Sequence, residues 1–274
     1  MAQTLKKTLY VSDLDGTLLN SRSELSDFTV HTLNTLCEKG MLFSYATARS
    51  YTTAKEVTAR LTANLPVIVY NGVFVLEQGS GKRLFGNAFL EDESQAILDE
   101  LTAHGVYPVV YSLIDGEEKY SYCLDRMDRG VADLLAAHPN DARERGVDDM
   151  RQLLDGDCFC FACSGEKELM ERLYEVFRER FQCWYFPGAN GAYQRLQLRP
   201  KEVTKGNAIR MLKDYLGCER VVCFGDGNND FELFEAADEG YAMANADPRL
   251  KARATAVIAS NDEDGVARWL LENA

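Results

Sequence analysis

The sequence lacks any long run of apolar residues and any long run of basic residues. No stretch approaches the roughly 18 consecutive apolar residues of a membrane-spanning helix. The first residues reach Asp13 too early to leave room for the apolar part of a signal peptide. The chain has 30 Lys and Arg residues against 43 Asp and Glu residues, a formal net charge of −13 at pH 7. We therefore expect a cytoplasmic protein that binds neither membranes nor nucleic acid.

Histidine is scarce, with three residues in 274, and none of the three stands in a catalytic motif. The eight cysteines are expected to be reduced thiols rather than disulfides. Cys158, Cys160 and Cys163 lack the spacing of a zinc site and alternate with Phe, which favours a buried strand. An acidic protein that acts on an anionic substrate needs a bound cation or a few well-placed Lys and Arg residues.

Two patterns alternate along the chain, whose length suits about two domains of ~150 residues. Towards both ends, short apolar strands alternate with segments of helical period, which predicts parallel strands joined by right-handed crossovers. Between them, the alternation is typical of antiparallel strands. We predict an α/β fold with a Rossmann-like, three-layer parallel-sheet core (1–82 and 197–274) and an inserted α+β domain (83–196).

Polar residues follow the carboxyl ends of four predicted core strands. They are Asp13 and Asp15 after the first strand, Thr47 after the second, Asn71 after the third, and the string Gly-Asp-Gly-Asn-Asn-Asp at 225–230 after a later one. In an open parallel sheet, ligands bind beyond the carboxyl ends of the strands. We therefore expect these side chains to meet at one crevice.

Asp13 and Asp15 are two residues apart, so in an extended segment they point to the same side. Two close carboxylates cannot both ionise freely. One is therefore a candidate nucleophile when a cation neutralises it, and the other a candidate proton donor and acceptor. This division of roles suits covalent phosphoryl transfer. A simple turn would explain a bare Asp-Gly pair, but the longer string Asp-Leu-Asp-Gly-Thr is rare by chance.

The string at 225–230 is a second acidic segment, in which Asp226, Asn229 and Asp230 offer oxygen ligands of the kind that Mg²⁺ binds. A glycine-rich turn with a helix-capping Asn is the structural alternative. Thr47 offers a hydroxyl group and a neighbouring backbone N–H to a phosphate oxygen, and Lys205 offers a point charge. Taken alone, such a Thr is usually a helix cap and such a Lys is usually solvated.

Taken together and in order, four parts of the sequence resemble the motifs of the haloacid dehalogenase superfamily, most closely its type IIB, Cof-type phosphatases. They are the strings at 13–17 and 225–230, with Thr47 and Lys205 between them. Asn71-Gly72 and residues 242–246 also resemble that subfamily, whose α/β cap is inserted after the third strand. Over the insert, the resemblance rests on size and element order.

The chain departs from the family pattern in the second motif. The family usually has Thr-Gly-Arg where this chain has Thr47-Ala48-Arg49. We expect the methyl group of Ala48 to restrict the approach of the backbone to a phosphate, and the Thr47 hydroxyl and Arg49 to be unaffected.

The resemblance implies a Mg²⁺-dependent phosphomonoester hydrolase of a small phosphorylated metabolite, with a sugar phosphate as the first expectation. It implies that Asp13 forms an aspartyl-phosphate, while Asp15 protonates the leaving oxygen and then activates water. Mg²⁺ would be held by Asp13, the backbone carbonyl of Asp15 and Asp226, with Asp230 orienting the metal shell or Lys205. The residues implied to position the phosphoryl group are Thr47, Asn71, Lys205 and Asn229.

Two alternatives stay open. A phosphomutase or phosphotransferase of the same family would pass the phosphoryl group to a sugar hydroxyl instead of water. A non-catalytic phospho-Asp or ligand-binding module would also carry an acceptor Asp beside acidic metal ligands, but it would need neither Asp15 nor a large insert.

The inserted cap is expected to close over the substrate and exclude water, so it should hold the residues that select the leaving group. Asn190 and Tyr193, in a loop between predicted cap strands, are candidates for such a contact.

Overall fold

The computed structural model describes residues 6–62, 65–188 and 191–274, and the chain divides into two compact units. The core unit takes in the chain up to Gly86 together with Val203–Ala274, and the insert unit is Asn87–Glu202. The insert unit of the structure and the predicted insert, 83–196, have different bounds at both ends. Arg83–Gly86 is a strand that pairs within the core unit, and Gln194–Pro200 is a strand that pairs within the insert unit.

The core unit alternates strands and helices. Its strands are β1 (Thr8–Ser12), β2 (Leu42–Tyr45), β3 (Val67–Val69), β4 (Phe74–Leu76), β5 (Arg83–Gly86), β12 (Arg220–Gly225), β13 (Glu239–Met243) and β14 (Ala256–Ile258). Its helices are α1 (Asp27–Glu38), α2 (Tyr51–Thr58), α6 (Lys205–Leu216), α7 (Phe231–Ala236), α8 (Pro248–Lys251) and α9 (Gly265–Asn273).

The core sheet is parallel, with the strand order β14-β13-β12-β1-β2. The inner strand β1 is almost completely buried, as expected for a parallel strand that is covered on both faces. Helix α1 packs with α9, and α6 packs with α7. This architecture is the α/β core that the alternating pattern predicts.

The predicted third strand joins the core differently from a regular parallel neighbour. One isolated parallel bridge, between Ala46 and Ile68, links β3 to the end of β2. Otherwise β3 belongs to an antiparallel sheet of order β3-β4-β5. Residues 78–81, whose sequence Gln-Gly-Ser-Gly is typical of a turn, lie between β4 and β5 and belong to the core unit.

Side-chain caps begin the core helices next to functional positions. The hydroxyl of Ser50 accepts a hydrogen bond from the backbone N–H of Thr53 at the start of α2. The hydroxyl of Thr204 accepts one from Asn207 N–H at 3.0 Å, which makes Lys205 the first residue of α6. At its other end, α6 stops at Gly217, which has the left-handed backbone that favours glycine.

The insert unit is an α+β domain with one mixed sheet of order β10-β11-β9-β6-β7-β8. Its strands are β6 (Val109–Ile114), β7 (Glu117–Cys123), β8 (Glu144–Val147), β9 (Asp157–Gly165), β10 (Phe181–Pro187) and β11 (Gln194–Pro200). Its helices are α3 (Glu91–Ala103), α4 (Arg129–Ala137) and α5 (Lys167–Phe177). β7 and β8 pair in parallel, and the other neighbours in this order are antiparallel.

The cysteines of β9 pack as apolar side chains. Cys158 and Cys163 belong to the cluster of buried residues beneath α3 and α5. Burial raises the pKa of all three thiols at 158, 160 and 163, which disfavours the thiolate form that metal ions bind. In the described part of the chain, no helix combines the length and the apolar character needed to cross a membrane.

Candidate active site

The predicted site residues of the core unit come together beyond the carboxyl ends of the parallel strands. Asp13 directly follows β1, and its backbone N–H donates to the carbonyl of Phe224 in β12 at 3.0 Å. Asp226 directly follows β12. Because β1 and β12 are neighbouring parallel strands, the two acidic strings are brought side by side.

Lys205 lies between two carboxylates at the floor of this site. Its ammonium nitrogen is 2.9 Å from Asp13 Oδ1 and 2.8 Å from Asp230 Oδ1. All three side chains are buried, and that of Lys205 is 0% exposed. Buried charges persist in a protein only when they are paired in this way. We call Asp13, Lys205 and Asp230 the buried triad.

Burial and charge pull the pKa values of Asp13 and Lys205 in opposite directions. Burial raises the pKa of Asp13 to about 7, although attraction to Lys205 opposes the shift. Burial alone lowers the pKa of Lys205, but attraction to Asp13 and Asp230 outweighs that effect and raises it above the usual value. Lys205 therefore stays charged at neutral pH, and a further cation beside Asp13 would favour its ionised form in the same way.

Asp230 shapes the loop that carries Asp226. Its Oδ1 binds Lys205, and its Oδ2 accepts hydrogen bonds from the backbone N–H groups of Asp226, at 2.9 Å, and Gly227, at 3.0 Å. Both carboxylate oxygens are thus engaged with the protein itself. This arrangement fits an orienting role for Asp230 better than that of a primary metal ligand.

The Asp226 carboxylate is held by the string that follows β1. The hydroxyl of Thr17 donates to Asp226 Oδ1 at 2.7 Å. Burial raises the pKa of Asp226, and this hydrogen bond partly opposes the shift. Gly16 has a φ of +78°, and a Cβ there would lie 2.3 Å from Asp226 Oδ2. Glycine is therefore required at position 16 both for the backbone conformation and for space.

The geometry fits a hard divalent cation. Asp13, Asp226 and Asp230, the acidic cluster, each offer a carboxylate oxygen, and these oxygens lie within 4.8 Å of one another. Carboxylate oxygens are the ligands that Mg²⁺ and Ca²⁺ prefer. Lys205 and the backbone N–H groups satisfy part of this negative charge, while Asp226 keeps an oxygen beyond the one that Thr17 binds.

Thr47, Asn71 and Asn229, which were predicted to position a phosphoryl group, lie on one side of the site. The backbone N–H of Asn71 donates to the Thr47 carbonyl at 2.8 Å. The side-chain N–H of Asn229 donates to Asn71 Oδ1 at 3.0 Å. Thr47 and Asn71 are buried. The structure therefore brings together all the core residues that the sequence pattern selected.

The loop that carries Asn71 has an unusual backbone. Tyr70 and Asn71 have φ values of 52° and 55°, and Gly72 has a φ of 104°. A Cβ at Gly72 would lie 2.2 Å from the carbonyl oxygen of Thr204, so this loop is pressed against the start of α6. Left-handed conformations of non-glycine residues are costly and concentrate at functional sites.

Ala48 is compatible with the local backbone. It is exposed, and it is not among the non-glycine residues with positive φ in the described part of the chain. The position therefore does not need glycine for its conformation. The Thr47 hydroxyl accepts a hydrogen bond from the Arg49 N–H at 3.2 Å, as an ordered turn requires.

Sequence reasoning assigned no role to Arg49, Thr17 or Asn245. Arg49 forms two hydrogen bonds with the carboxylate of Asp15. The side chain of Asn245 donates to the Gly16 carbonyl at 2.7 Å and accepts from Asn261 N–H at 3.2 Å. All three residues lie within or beside the sequence motifs described above. This proximity to the motifs is the sequence feature that could have identified them.

The two candidate residues of the insert unit have different outcomes. The hydroxyl of Tyr193 lies 2.7 Å from Asp133 Oδ2 and accepts a hydrogen bond from Arg195 at 3.0 Å. This hydroxyl is therefore engaged within the insert unit. Asn190 lies outside the described residues.

The chain belongs to the haloacid dehalogenase-like hydrolases, because the model of that family matches residues 10–270. It is 27% identical to the 5-amino-6-(5-phospho-D-ribitylamino)uracil phosphatase YitU of Bacillus subtilis, over 97% of each chain. It is 28% identical to a second phosphatase of that name, YwtE, from the same organism, over 94% of this chain and 95% of the relative.

Solved structures share the fold. A crystal structure of a Thermotoga maritima protein has a TM-score of 0.81, with 23% identity and 98% of each chain covered. A haloacid dehalogenase-like hydrolase from Bacteroides thetaiotaomicron has a TM-score of 0.78, with 22% identity over 97% of this chain and 99% of that one. Together with the relatives, these findings confirm the predicted superfamily, the predicted α/β fold and the prediction of a phosphatase-type hydrolase.

Proposed function

We propose that this chain is a Mg²⁺-dependent phosphomonoester hydrolase that cleaves a small phosphorylated metabolite through an aspartyl-phosphate on Asp13. The observation that carries the proposal is the buried triad next to Asp226. It combines the Asp13 carboxylate as nucleophile, the Lys205 ammonium group 2.9 Å from that carboxylate, and further carboxylates suited to a divalent metal. Phosphoryl transfer needs mainly this kind of positioning and charge stabilisation.

In the first step, an oxygen of Asp13 attacks phosphorus, and the bond between phosphorus and the leaving oxygen breaks. The Asp15 carboxyl group gives its proton to that oxygen, which leaves as an alcohol. Lys205 keeps Asp13 in place and offsets negative charge beside the reacting group. The product of this step is the phosphorylated Asp13.

In the second step, water attacks the phosphorus of the aspartyl-phosphate. The Asp15 carboxylate takes a proton from the water, the bond between phosphorus and the Asp13 oxygen breaks, and inorganic phosphate leaves. Asp13 returns as a carboxylate and Asp15 in its protonated form. One residue thus serves as acid and then as base, which fits the partial exposure of its side chain to solvent.

Asp13, Asp226 and the backbone carbonyl of Asp15 would hold the Mg²⁺ ion, with Asp230 orienting the loop around them. When bound, Mg²⁺ supplies Lewis-acid stabilisation of the phosphoryl oxygens. The hydroxyl of Thr47 and the side-chain amides of Asn71 and Asn229 are proposed to orient those oxygens. The contact between Asn229 and Asn71 supports a joint role for the two amides.

We propose phosphorylated sugars or polyols as the substrate class. Two relatives are named for a substrate that carries a phosphorylated ribityl chain, which supports testing this class first. The insert unit is proposed as the domain that selects the leaving group. Cytoplasmic location stays a prediction from composition and charge.

The test is the release of inorganic phosphate from a panel of sugar phosphates, 5-amino-6-(5-phospho-D-ribitylamino)uracil, nucleotides, pyridoxal phosphate and p-nitrophenyl phosphate. Each compound is assayed with Mg²⁺ and with a chelator. We expect Mg²⁺-dependent release that is fastest for a sugar or polyol phosphate. Release that is unchanged by the chelator would contradict the metal assignment.

Product analysis separates hydrolysis from transfer. Inorganic phosphate formed from a single substrate, without an acceptor sugar, supports the hydrolase. Formation of an isomeric sugar phosphate without free phosphate would instead assign the chain to the mutases. Release from no member of the panel by the folded protein with Mg²⁺ would overturn the proposal for these substrates.

A further inference from the structure

The carboxylate of Asp15 accepts hydrogen bonds from one side chain, that of Arg49. Arg49 Nε donates to Asp15 Oδ2 at 2.8 Å, and Arg49 Nη2 donates to Asp15 Oδ1 at 2.6 Å. Each carboxylate oxygen thus receives its own hydrogen bond from the planar guanidinium group. A paired contact of this kind fixes the plane of the carboxylate as well as its distance.

Arg49 is itself anchored by backbone contacts on both sides. Its N–H donates to the Thr47 hydroxyl at 3.2 Å, and its carbonyl accepts from the Tyr70 N–H at 3.0 Å. Tyr70 lies in the loop whose backbone is left-handed. The base of the Arg49 side chain is therefore held by the segments that carry two of the proposed phosphate-positioning residues, Thr47 and Asn71.

Asp15 needs this support because its side chain is 48% exposed, whereas the Asp13 side chain is 7% exposed. Packing does not hold a half-exposed carboxylate in one rotamer. In residues 6–62, 65–188 and 191–274, the two hydrogen bonds from Arg49 are the side-chain contacts seen for the Asp15 carboxylate. Orientation of a proton donor is a large part of its effect on rate.

We propose that Arg49 is a positioning residue for the reaction, because it holds the Asp15 carboxyl group in the orientation from which it exchanges a proton with the leaving oxygen. This inference rests on the proposed function. It concerns the expulsion of the leaving group rather than the binding of the phosphoryl group.

The inference predicts that the effect of Arg49 depends on the leaving group. A p-nitrophenolate group leaves readily without a proton, whereas an alkoxide leaves poorly unless it is protonated. Phenolate, whose parent acid resembles the tyrosine side chain with a pKa of about 10, lies between the two. Phenyl phosphate and p-nitrophenyl phosphate also have nearly the same shape, so comparing them separates proton transfer from binding of the leaving group.

The experiment measures kcat/KM of the full chain with Mg²⁺ for p-nitrophenyl phosphate, phenyl phosphate and ribose 5-phosphate. This ratio reports the steps up to the departure of the leaving group. For Arg49→Gln we expect losses of about 3-fold, about 10-fold and about 100-fold in that order, within the range of general acid catalysis. Asp15→Asn is expected to show the same order with larger losses.

Two further variants make the result specific. Arg49→Lys keeps the positive charge but cannot donate one hydrogen bond to each carboxylate oxygen from a planar group. We therefore expect smaller losses in the same order. It also serves as the test if Arg49→Gln does not fold, as checked by thermal melting. Arg60→Gln removes another Arg–Asp ion pair of the core unit, the 2.5 Å contact with Asp27, and is expected to leave all three rates unchanged.

Equal losses for the three esters in the Arg49 variants would overturn the inference, because they would mean that Arg49 acts on binding or folding. That result leaves the proposed function intact if the wild-type protein hydrolyses the esters with Mg²⁺. If the wild-type protein releases phosphate from none of them, the proposed function fails instead.

Discussion

Two carboxylates that stand two residues apart are held in opposite ways. Asp13 lies in the buried triad, where the ammonium group of one Lys pairs with two carboxylates and all three side chains are buried. Asp15 is half-exposed and is held by the fork of Arg49. The difference follows from their proposed roles: a nucleophile needs a fixed line of attack, whereas an acid and base must exchange protons with its surroundings.

The ion pairs of Asp13 and Asp15 also differ in how much they stabilise the fold, because one is buried and the other is exposed. Removing one member of a buried ion pair leaves an uncompensated charge and costs about 3–5 kcal/mol. An exposed ion pair contributes about 0–1 kcal/mol. The triad therefore supports both the fold and the reaction, whereas the Asp15–Arg49 pair supports mainly the reaction.

The largest expected effect is the loss of the nucleophile. Asp13→Asn should reduce phosphate release by at least about 10⁴-fold, because no aspartyl-phosphate can form. The variant should still fold, since Lys205 keeps its partner Asp230. Phosphate release and a thermal melt check the two parts of this prediction. Turnover near the wild-type rate would show that Asp13 is not the nucleophile.

A second prediction compares the two cations directly. Lys205→Met should lower the free energy of unfolding by about 3–5 kcal/mol, because it leaves Asp13 and Asp230 facing each other without a counterion. Arg49→Gln should lower it by no more than about 1 kcal/mol. Urea unfolding of both variants without added metal measures the difference. Equal losses would contradict the distinction between buried and exposed pairs.

Thr17→Val tests the support of the proposed metal ligand. The variant keeps the size of the side chain but removes the hydroxyl group that donates to Asp226 Oδ1 at 2.7 Å. We expect the apparent affinity for Mg²⁺ to fall by about 10- to 100-fold, as for other partners of metal ligands. Titration of activity with Mg²⁺ gives this value. Thr29→Val, in α1, is a control at a buried Thr whose hydroxyl donates to Asp264 rather than to Asp226, and it should not change this affinity.

The smallest effect concerns pH and metal together. Burial raises the pKa of Asp13 to about 7 and also raises that of Asp226. The folded state therefore binds more protons than the unfolded state between the usual Asp value and about 7. The stability that this protonation gives is present at low pH and is lost as the pH rises through about 7.

Mg²⁺ must displace those protons, so it should stabilise the protein more at pH 8 than at pH 5.5. We expect the rise in melting temperature with Mg²⁺ to be a few degrees larger at the higher pH. Melting curves with Mg²⁺ and with a chelator at both pH values measure it. A larger rise at pH 5.5 would contradict the assignment of these carboxyl groups to the metal.

The residues of the site were easier to predict from the sequence than the contacts between them. Asp13, Thr47, Asn71 and Asp226 were predicted because each follows a strand of the α/β pattern, and the structure places them at one edge of the core unit. The pairing of Arg49 with Asp15 was not predicted, because a contact between side chains 34 positions apart depends on rotamers and loop geometry.

The insert unit was harder to predict. Helix α4 was missed, although Asp128 caps its first turn. Strand β11 was missed too, although Leu196 and Leu198 alternate there with polar residues. The helical pattern of the sequence continues to Phe181, whereas α5 ends at Phe177, because Phe181 begins β10 and joins the apolar cluster of the insert unit. In these places, tertiary packing decides between local patterns of similar strength.

The position of β1 between β12 and β2 in the core sheet affects how the protein is made. Its partner β2 follows soon after it along the chain, whereas its other partner, β12, is synthesised only after the whole insert. Thr17 and Asp226, which join these two regions, are 209 positions apart. At about 5–20 residues per second, this separation takes roughly 10–40 s of translation. During that interval the nascent chain carries an apolar strand with one unpaired edge, which is the kind of surface that chaperones protect.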